Sequence, residues 1–563
     1  MDSRFGPSRR TSPDPIERTP SAYAYPLLIK QLLHTPLANA PQQEIVYRTD
    51  LRHSYRSFAE RIARLANTLR SLGVGPGDTV AVMDWDSHRY LEAYFAVPMI
   101  GAVLMMVNIR LSADQVAYTL EHAGASAALV NTDFLPLLEP LRPRLPRLQR
   151  VVVMCDEPAV RDSAFGPGMP GCAGEYEQLL AESDPTCDFP DFDEHSRATT
   201  FYTTGTTGLP KAVYFSHRQL VLHTLATATG LAASPQQQRL HRGDVYMPLT
   251  PMFHVHAWGL PYVATLLGVK QVYPGRYLPQ RIVELVEREG VTFSHGVPTV
   301  LQMVLDAAAG RRLDGWKVVA GGSVLPPGLC RQAREHGIDI FTGYGMSETC
   351  PMLTLAQLPA GQDAGDEGWR MRAGWAIPLV DLRVVDEQLR DVPHDDQAPG
   401  EVVARAPWLT QGYLGNPAAS EALWEGGWLH TNDIGRMDAG GSLRLIDRLK
   451  DVIKTGGEWV SSLDLEHLIA AHPGVAEVAV IGVPCDKWGE RPLAIVKARP
   501  EFADTLTEEE LRQLVAGLAD EGVVPRYAVP DRVCFVDAID RTSVGKFDKK
   551  TLRLKFAAAP PAG

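Results

Sequence analysis

The sequence is poor in cysteine and has no closely spaced cysteine pair. It contains seven cysteines in 563 residues, and none of them forms a CxxC motif. A disulfide framework and a structural zinc site both depend on paired or clustered cysteines, so this pattern argues against both. Scattered thiols are typical of a reducing compartment, and we therefore expect a cytoplasmic protein.

Long hydrophobic runs are also missing. The most apolar segment, residues 93–107, is 15 residues long and is interrupted by Pro98 and Gly101, whereas a bilayer span needs about 20 residues. We expect a buried helix followed by a buried strand there, and no transmembrane segment. Residues 1–22 lack the apolar core of a secretory signal. They are expected to form a flexible tail, with an organellar transit peptide as the alternative.

Positive charge is not in excess. Lys and Arg number 55 against 67 Asp and Glu, which gives a net charge of −12. Proteins that bind nucleic acid neutralise phosphates with clustered Lys and Arg, and no long basic run is present, so a nucleic-acid partner is not expected. The net charge does not exclude an anionic small molecule, because a local pocket of Lys and backbone N–H groups can bind one.

Short apolar runs alternate with helix-like segments over most of the chain. Apolar runs at 78–83, 103–108, 291–297 and 316–322 end in glycine or polar residues. This alternation is typical of α/β folds with parallel sheets, in which ligands bind beyond the carboxyl ends of the strands. A single core rarely exceeds about 250–300 residues, so a chain of this length is expected to form at least two domains.

The division between the domains is predicted near residue 450. Glycine- and proline-punctuated segments precede it, and a compact α+β pattern follows it. In that second part, Ser461 or Ser462 is expected to cap a helix, and Thr507 with Glu510 has the spacing of a capping box. We therefore predict a flexible tail at 1–22, a large multi-sheet α/β domain at 23–449 and a small mobile α+β domain at 450–563.

The most informative motif is YTTGTTGLPKAV at 202–213. Its glycines allow backbone N–H groups to turn towards a ligand, its threonines add hydroxyl donors, and Lys211 adds a positive charge. This combination suits a polyphosphate. The spacing differs from the GxxxxGK[ST] of a Walker A loop. Taken alone, the motif is also compatible with a flexible surface turn.

Further motifs follow in the order GYGMSETCP, HTNDIG, DRLKDVIKTGGEW and RTSVGKFDKK. Together with the first, they resemble the adenylate-forming superfamily of acyl-CoA synthetases, firefly luciferases and peptide-synthetase adenylation domains. The segment PMFHVHAWGLPY is most similar to bacterial medium- and long-chain fatty acyl-CoA synthetases. The resemblance implies a two-step reaction. A carboxylate attacks the α-phosphate of ATP to give an acyl-adenylate and pyrophosphate, and coenzyme A then displaces AMP.

The resemblance also implies roles for individual residues, with Mg²⁺ as the metal. The β- and γ-phosphates of ATP would be bound by Thr203, Thr204, Gly205, Thr206, Thr207, Gly208 and Lys211. The nucleotide and the acyl-adenylate would contact Gly322, Thr342, Gly343, Tyr344, Ser347, Asp433, Arg448, Lys450, Lys454 and Trp459. Thr206 and Glu348 would hold Mg²⁺, a hard ion that prefers oxygen ligands. Lys546 would be catalytic, and His254 and Trp258 would line the acyl and CoA tunnel.

Lys546 lies in the predicted small domain, whereas most of the predicted nucleotide site lies in the large one. The resemblance therefore implies that the small domain alternates between two orientations about a hinge at Lys450. One orientation would present Lys546 for adenylation, and the other would present residues 454–459 for thioester formation. The resemblance further implies a homodimer formed through the large domain.

The acyl substrate is predicted from PMFHVHAWGLPY. Peptide-synthetase adenylation domains have an Asp after the aromatic residue to bind an amino group, whereas Phe253 is followed here by His254. An unpaired ammonium in an apolar pocket is costly, so a fatty acid is favoured over an amino acid. A methylthio-alkanoate, an aryl acid and the loading of a carrier protein stay open as alternatives. Ala212 and Asn432 replace the glycines usual at these positions, and Asn432 suits a left-handed backbone.

Overall fold

The computed structural model describes the chain at residues 15–157, 171–203, 209–233, 239–359, 366–455, 458–485, 487–541 and 547–556. Its helices and strands form a mixed α/β protein with several sheets, which confirms the predicted fold class. Within these stretches, no helix is both long and apolar enough to cross a membrane.

The strands of the large sheets are β1 (Glu44–Tyr47), β2 (Leu51–Ser54), β3 (Thr79–Met83), β4 (Val103–Met106), β5 (Ala125–Asn131), β6 (Arg150–Met154), β7 (Cys172–Glu175), β8 (Arg197–Tyr202), β9 (Ala212–Ser216), β10 (Val245–Pro248), β11 (Lys270–Tyr273), β12 (Phe293–Gly296), β13 (Lys317–Ala320), β14 (Asp339–Gly345), β15 (Met352–Leu355) and β16 (Trp375–Ala376). The smaller sheets contain β17 (Asp381–Val385), β18 (Gly400–Arg405), β19 (Leu429–Met437), β20 (Leu443–Arg448), β21 (Ile453–Thr455), β22 (Glu458–Val460), β23 (Val475–Cys485), β24 (Gly489–Ala498) and β25 (Arg532–Phe535). The α-helices are α1 (His34–Asn39), α2 (Tyr55–Ser71), α3 (His88–Met99), α4 (Ala113–Ala123), α5 (Leu135–Leu138), α6 (Tyr176–Glu182), α7 (His217–Ala232), α8 (Leu260–Leu267), α9 (Pro279–Glu289), α10 (Pro298–Ala308), α11 (Pro327–Glu335), α12 (Glu367–Met371), α13 (Pro417–Leu423), α14 (Ser462–Ala470), α15 (Glu508–Asp520) and α16 (Lys549–Phe556).

A seven-stranded sheet has the order β7-β6-β5-β3-β4-β8-β9. All neighbours in it are parallel except β8 and β9. Every residue of β3 is buried, as is every residue of α3. Burial on all sides explains why residues 93–107 are so apolar, since they form the end of α3 and all of β4, as the sequence predicts.

A nine-stranded sheet has the order β16-β15-β14-β13-β12-β10-β11-β1-β2. The largest hydrophobic cluster joins both large sheets, with Met105 from the first and Val319 from the second. A second cluster packs the other face of the nine-stranded sheet against α9, α10 and α11. Adjacent strand residues face opposite sides, so Val318 belongs to the second cluster.

Two smaller sheets complete the fold. One has the order β17-β18-β19-β20, and the other has the order β22-β21-β24-β23 with β25 paired to β24. The chain passes from the first of these sheets to the second between Arg448 and Ile453. The domain division expected at residue 450 falls in this connection and stays a prediction.

Helix caps in the C-terminal part follow the sequence with one exception. Ser461 caps α14, because its Oγ accepts from the N–H of Asp464 at 3.0 Å. Thr507 caps α15 by accepting from the N–H of Glu510 at 3.2 Å. The expected capping box is wrong in its second half. The Glu510 carboxylate lies 3.2 Å from Nε2 of His472 instead of returning to the amide of Thr507.

Candidate functional site

The predicted phosphate loop connects β8 to β9, an antiparallel pair at the edge of the seven-stranded sheet. The N–H of Thr203 donates to the carbonyl of Lys211 at 2.9 Å, which closes the base of the loop. The loop residues Thr204, Gly205, Thr206, Thr207 and Gly208 lie outside the described residues. Its base is at the carboxyl end of β8, the end of a strand at which α/β sheets bind ligands.

Glu348 lies in the short turn Ser347–Thr349, which connects β14 to β15 in the nine-stranded sheet. It is only 7% exposed, and burial raises the pKa of its carboxyl. The hydroxyl of Tyr413 donates to its Oε1 at 2.7 Å, and Nζ of Lys211 lies 4.6 Å from the centre of the Tyr413 ring. Tyr413 thus connects the predicted metal ligand to a predicted phosphate ligand.

Sequence reasoning did not identify Tyr413. It lies in the segment LTQGYLGNP, whose glycines and proline indicate only a loop. Backbone hydrogen bonds fix this loop between the two large sheets. The N–H of Thr410 donates to the carbonyl of Glu348 at 3.0 Å, and the N–H of Leu414 donates to the carbonyl of Ala212 at 3.0 Å. A tyrosine between glycines was the only available signal.

The carboxylate of Glu348 has the chemistry that a Mg²⁺ site needs. Its donor, Tyr413, is a neutral phenol rather than a cation, so the carboxylate keeps its negative charge for a divalent ion. Thr206, the other expected ligand, lies outside the described residues. The residue that the structure describes therefore fits the predicted metal, and metal binding itself stays a prediction.

Tyr344, Asp433 and Arg448 come together from distant parts of the sequence. The hydroxyl of Tyr344 donates to Oδ2 of Asp433 at 2.8 Å, and Nε of Arg448 lies 3.5 Å from Oδ1. Asp433 and Arg448 are direct neighbours on β19 and β20. Asn432 has a φ of +56°, so it adopts the left-handed backbone that the sequence suggested. The carboxylate of Asp433 has two oxygens, which suits the paired hydroxyls of a ribose.

Close backbone packing accounts for the glycines near the predicted nucleotide site. A Cβ at Gly343 would lie 2.8 Å from Cγ1 of Val319, and a Cβ at Gly321 would lie 2.7 Å from the carbonyl oxygen of Gly343. Gly322 has a φ of +78°, which residues with a side chain rarely adopt. Thr342 is buried, and no described residue forms a hydrogen bond with its hydroxyl. That hydroxyl is available to a ligand.

The predicted acyl wall contains a left-handed turn that has no glycine until its end. Val255, His256, Ala257, Trp258 and Gly259 have φ values of +49°, +54°, +45°, +59° and +72°. Each non-glycine residue in this conformation costs about 1–2 kcal/mol, so surrounding contacts must hold the turn. The ring centroid of Trp258 lies 5.1 Å from that of His295, and its Cη2 lies 2.9 Å from the place of a Cβ at Gly321. His254 immediately precedes the turn and is half-buried.

The segment before the turn is held by α3 and by the loop that connects β3 to α3. Oδ1 of Asp86 accepts from the N–H of Met252 at 2.8 Å, and its Oδ2 accepts from the hydroxyl of Tyr277 at 2.5 Å. The hydroxyl of Tyr94 donates to the carbonyl of Met252. Burial raises the pKa of the Asp86 carboxyl to about 7. Sequence reasoning missed Asp86, although it lies three residues after the buried strand β3, where acidic residues are a recognisable signal.

Comparison with known proteins assigns the chain to a family. Residues 33–414 match the family described as AMP-binding enzyme, and residues 464–546 match the AMP-binding enzyme C-terminal domain. The chain belongs to the AMP-binding enzyme family. The second match ends at residue 546, which is the lysine that the resemblance predicts to be catalytic.

This AMP-binding enzyme has similar relatives over nearly its whole length. It is 43% identical over 516 residues to a long-chain-fatty-acid–CoA ligase from Thermus thermophilus, covering 90% of each chain. It is 37% identical to a 3-methylmercaptopropionyl-CoA ligase from Ruegeria pomeroyi, covering 89% of this chain and 92% of the relative. The crystal structure of the anthranilate CoA ligase AuaEII in complex with anthranoyl-AMP matches with a TM-score of 0.80 at 23% identity, covering 94% and 97% of the chains. This last likeness shows the fold alone.

The remaining predicted site residues of this AMP-binding enzyme lie after β20. Burial lowers the pKa of the Lys450 ammonium, and Lys454 on β21 pairs in register with Trp459 on β22. Lys546 lies outside the described residues, in a segment flanked by Arg541 and Phe547, which form an antiparallel bridge. The bridge brings the two ends of this segment together, and the catalytic role of Lys546 stays a prediction.

The described residues also contain a close group of side chains of the types that bind metals, formed by His53, His88 and Glu92. Arg61 donates to both oxygens of Glu92, at 2.6 and 3.2 Å, and the hydroxyl of Tyr176 donates at 2.6 Å. Burial lowers the pKa of both histidines to about 4, so they are neutral near pH 7. Because a guanidinium already neutralises the carboxylate, we interpret this group as part of the core.

Proposed function

We propose that this chain is an AMP-forming acid–CoA ligase. It would activate a carboxylic acid with ATP, release pyrophosphate, and transfer the acyl group from the adenylate to coenzyme A. The observation that carries the proposal is the contact of Tyr413 with both Glu348 and Lys211, which joins the ends of the two large sheets. A carboxylate able to hold a cation beside a lysine able to hold a phosphate suits a metal–nucleotide complex.

The chemical difficulty of the first step is that a carboxylate must approach a phosphate, and both are anions. Lys211 and the backbone N–H groups of its loop would bind the outer phosphates. Lys546 would lie between the attacking carboxylate and the α-phosphate and stabilise the developing charge. Glu348 and Thr206 would hold Mg²⁺, which reduces the negative charge on the phosphates when it is bound. Tyr413 would orient the Glu348 carboxylate without adding a competing positive charge.

Asp433 would orient the nucleotide through its ribose. Tyr344 and Arg448 hold its two carboxylate oxygens, at 2.8 and 3.5 Å. Burial and the charge of Asp433 raise the pKa of Tyr344 well above its usual range, so its hydroxyl remains a donor. Gly322 and Thr342, next to this group, would contact the adenine, because Gly322 adds no side chain and Thr342 offers an uncommitted hydroxyl.

A fatty acid is the substrate that we propose. The residues around the left-handed turn are apolar and buried, among them Met252, Phe253, Val255 and Leu260. His254 stands where amino-acid-activating relatives have an acidic residue, so an ammonium would have no partner there. A methylthio-alkanoate is the second candidate, because the relative from Ruegeria pomeroyi, named as a 3-methylmercaptopropionyl-CoA ligase, is 37% identical.

Domain movement, assembly and location complete the proposal. We assign the large domain to 23–449 and the small domain to 450–563, with the hinge at Lys450, where the chain passes between two sheets. The small domain would present Lys546 for adenylation and residues 454–459 for thioester formation. The homodimer and the cytoplasmic location are proposed from the resemblance and from the free cysteines.

The test is a series of straight-chain acids from butanoate to octadecanoate, together with 3-methylthiopropanoate, supplied with ATP, Mg²⁺ and coenzyme A. Pyrophosphate release and CoA-thioester formation are measured separately for each acid. We expect both products to depend on the acid, with the highest kcat/KM for one of the straight-chain acids. Formation of ADP, or pyrophosphate release that is independent of the acid, would refute the proposal.

A further inference from the structure

The left-handed turn at Val255–Gly259 is attached to the seven-stranded sheet by His256. This residue is fully buried, and its Nε2 lies 2.7 Å from Oγ1 of Thr199 on β8. Its Nδ1 lies 3.9 Å from Sγ of Cys350. Burial lowers the pKa of the imidazole to about 3, so the ring is neutral, with one nitrogen donating and the other accepting. Both sides of the ring are therefore held.

Aromatic rings enclose this imidazole. The ring centroids of Phe201, Phe215, Tyr94 and Tyr262 lie 5.2, 5.6, 6.4 and 6.4 Å from that of His256. They belong to β8, β9, α3 and α8, which are separate elements of the core. A side chain packed in this way cannot move without displacing its neighbours. The position of His256 is therefore set by the sheet and its helices rather than by the turn.

Trp258, two residues later, contacts the nine-stranded sheet instead. Its ring packs against His295 of β12 and against the backbone at Gly321, which in turn approaches Gly343. Gly343 directly precedes Tyr344, which donates to Asp433 in the predicted nucleotide site. The turn thus links the two large sheets, and any change in its backbone moves the indole relative to the predicted acyl-adenylate site.

We propose that His256 is a positioning residue for the acyl substrate. By its hydrogen bond with Thr199 it keeps residues 255–259 left-handed, and it thereby fixes where Trp258 closes the acyl pocket. The inference rests on the proposed function, because Trp258 is a pocket wall only if the chain binds an acyl group. According to this proposal, the choice of acid depends in part on the hydrogen bond between His256 and Thr199, although neither residue contacts the substrate.

The chain supplies a matched pair of threonines for the test. Thr199 and Thr200 are neighbours on β8, and both are buried. Thr199 forms a hydrogen bond with His256, whereas no described residue bonds to the hydroxyl of Thr200. Valine replaces a hydroxyl with a methyl group of similar size. Thr199→Val therefore removes the bond to His256, and Thr200→Val is the control that removes no bond.

The experiment measures kcat and KM for the acid and for ATP in each variant across the acid series. We expect Thr199→Val to raise KM for the preferred acid about tenfold, the factor typical of one buried hydrogen bond. It should also shift the preferred chain length while leaving KM for ATP unchanged. Thr199→Ser keeps the hydroxyl and should restore the wild-type profile, and Thr200→Val should resemble the wild type.

His256→Asn is a second variant in case Thr199→Val does not fold. Asparagine accepts the left-handed backbone, but its side chain is too short to reach Thr199, so the same shift in acid preference is expected. An unaltered acid profile in a folded variant, or equal rises in KM for acid and for ATP, would overturn the inference. Wild-type protein that releases no acid-dependent pyrophosphate would instead refute the proposed function, so the two failures are distinguishable.

Discussion

The hydrogen bond between Tyr413 and Glu348 allows a sharp test of the site. Tyr413→Phe removes one hydroxyl and keeps the ring whose centre lies 4.6 Å from Nζ of Lys211. The carboxylate of Glu348 then loses a donor at 2.7 Å while it remains buried. The variant therefore changes the electrostatics of one carboxylate and preserves the shape of its surroundings.

The expected size of the effect follows from the charge of the acceptor. A hydrogen bond to an ionised group contributes about 1.5–3 kcal/mol. Burial raises the pKa of Glu348 and the donation from Tyr413 opposes that rise, so removing the hydroxyl should raise this pKa further. The ionised carboxylate that would hold Mg²⁺ is then less stabilised and less well oriented. We expect kcat/KM for ATP to fall about 10- to 100-fold, and any part of that loss that comes from protonation of Glu348 should shrink as pH rises.

The assay is acid-dependent pyrophosphate release at varied ATP and Mg²⁺ concentrations, repeated from neutral to alkaline pH. Tyr214→Phe is the matched control. Tyr214 lies on β9, and its backbone carbonyl accepts from the hydroxyl of Thr410 in the loop that contains Tyr413. The hydroxyl of Tyr214 bonds to no described residue. If Tyr413→Phe showed the same kcat/KM for ATP and the same Mg²⁺ dependence as Tyr214→Phe, the assignment of Glu348 as a metal ligand held by Tyr413 would be wrong.

Three further predictions concern single residues. Lys546→Ala should abolish acyl-adenylate formation but leave thioester formation from supplied acyl-adenylate largely intact, and equal loss of both half-reactions would contradict its role. Asp433→Asn should raise KM for ATP about 10- to 100-fold in initial-rate assays, because an amide offers one acceptor oxygen instead of two; an unchanged KM would count against ribose binding. The pKa of Asp86 is raised to about 7, so this carboxyl favours folding at low pH and the benefit is lost as pH rises to 7. Asp86→Asn should lack this pH-dependent loss, so the Tm of the variant should rise relative to that of the wild type as pH increases to 7. Tm curves that stay parallel over this range would contradict the reasoning.

Local structure could be predicted where the cause is local. The buried run at 78–83 and the apolar segment after it form β3, α3 and β4, because burial on every face leaves a continuous apolar pattern. Ser461 and Thr507 cap helices because the cap involves only the next turn of the chain. Glu510 departs from the expected capping box because His472, 38 residues away, competes for its carboxylate. Such competition cannot be read from neighbouring residues.

Contacts between residues that are distant in sequence also account for the parts of the site that the sequence did not reveal. Tyr344, Asp433 and Arg448 each lie in a recognisable motif, and the structure brings them together. The contact of Tyr413 with Glu348 spans 65 residues, and that of His256 with Thr199 spans 57. The first four residues of the turn around His256 are left-handed and none of them is glycine, so their own sequence contains no signal for this backbone. Its conformation is imposed by the two sheets that it joins.

The carboxylates of the site also explain how an acidic chain can bind anionic ligands. Glu348 accepts from Tyr413 and Asp433 accepts from Tyr344, at 2.7 and 2.8 Å. Burial raises the pKa of both phenols, so they remain protonated donors near neutral pH. A lysine at 2.7 Å from Glu348 would neutralise it and compete with Mg²⁺, whereas a phenol fixes its orientation and preserves its charge. Lys211 is thereby left to bind phosphate, and the net charge of −12 places no restriction on the charge of the ligand.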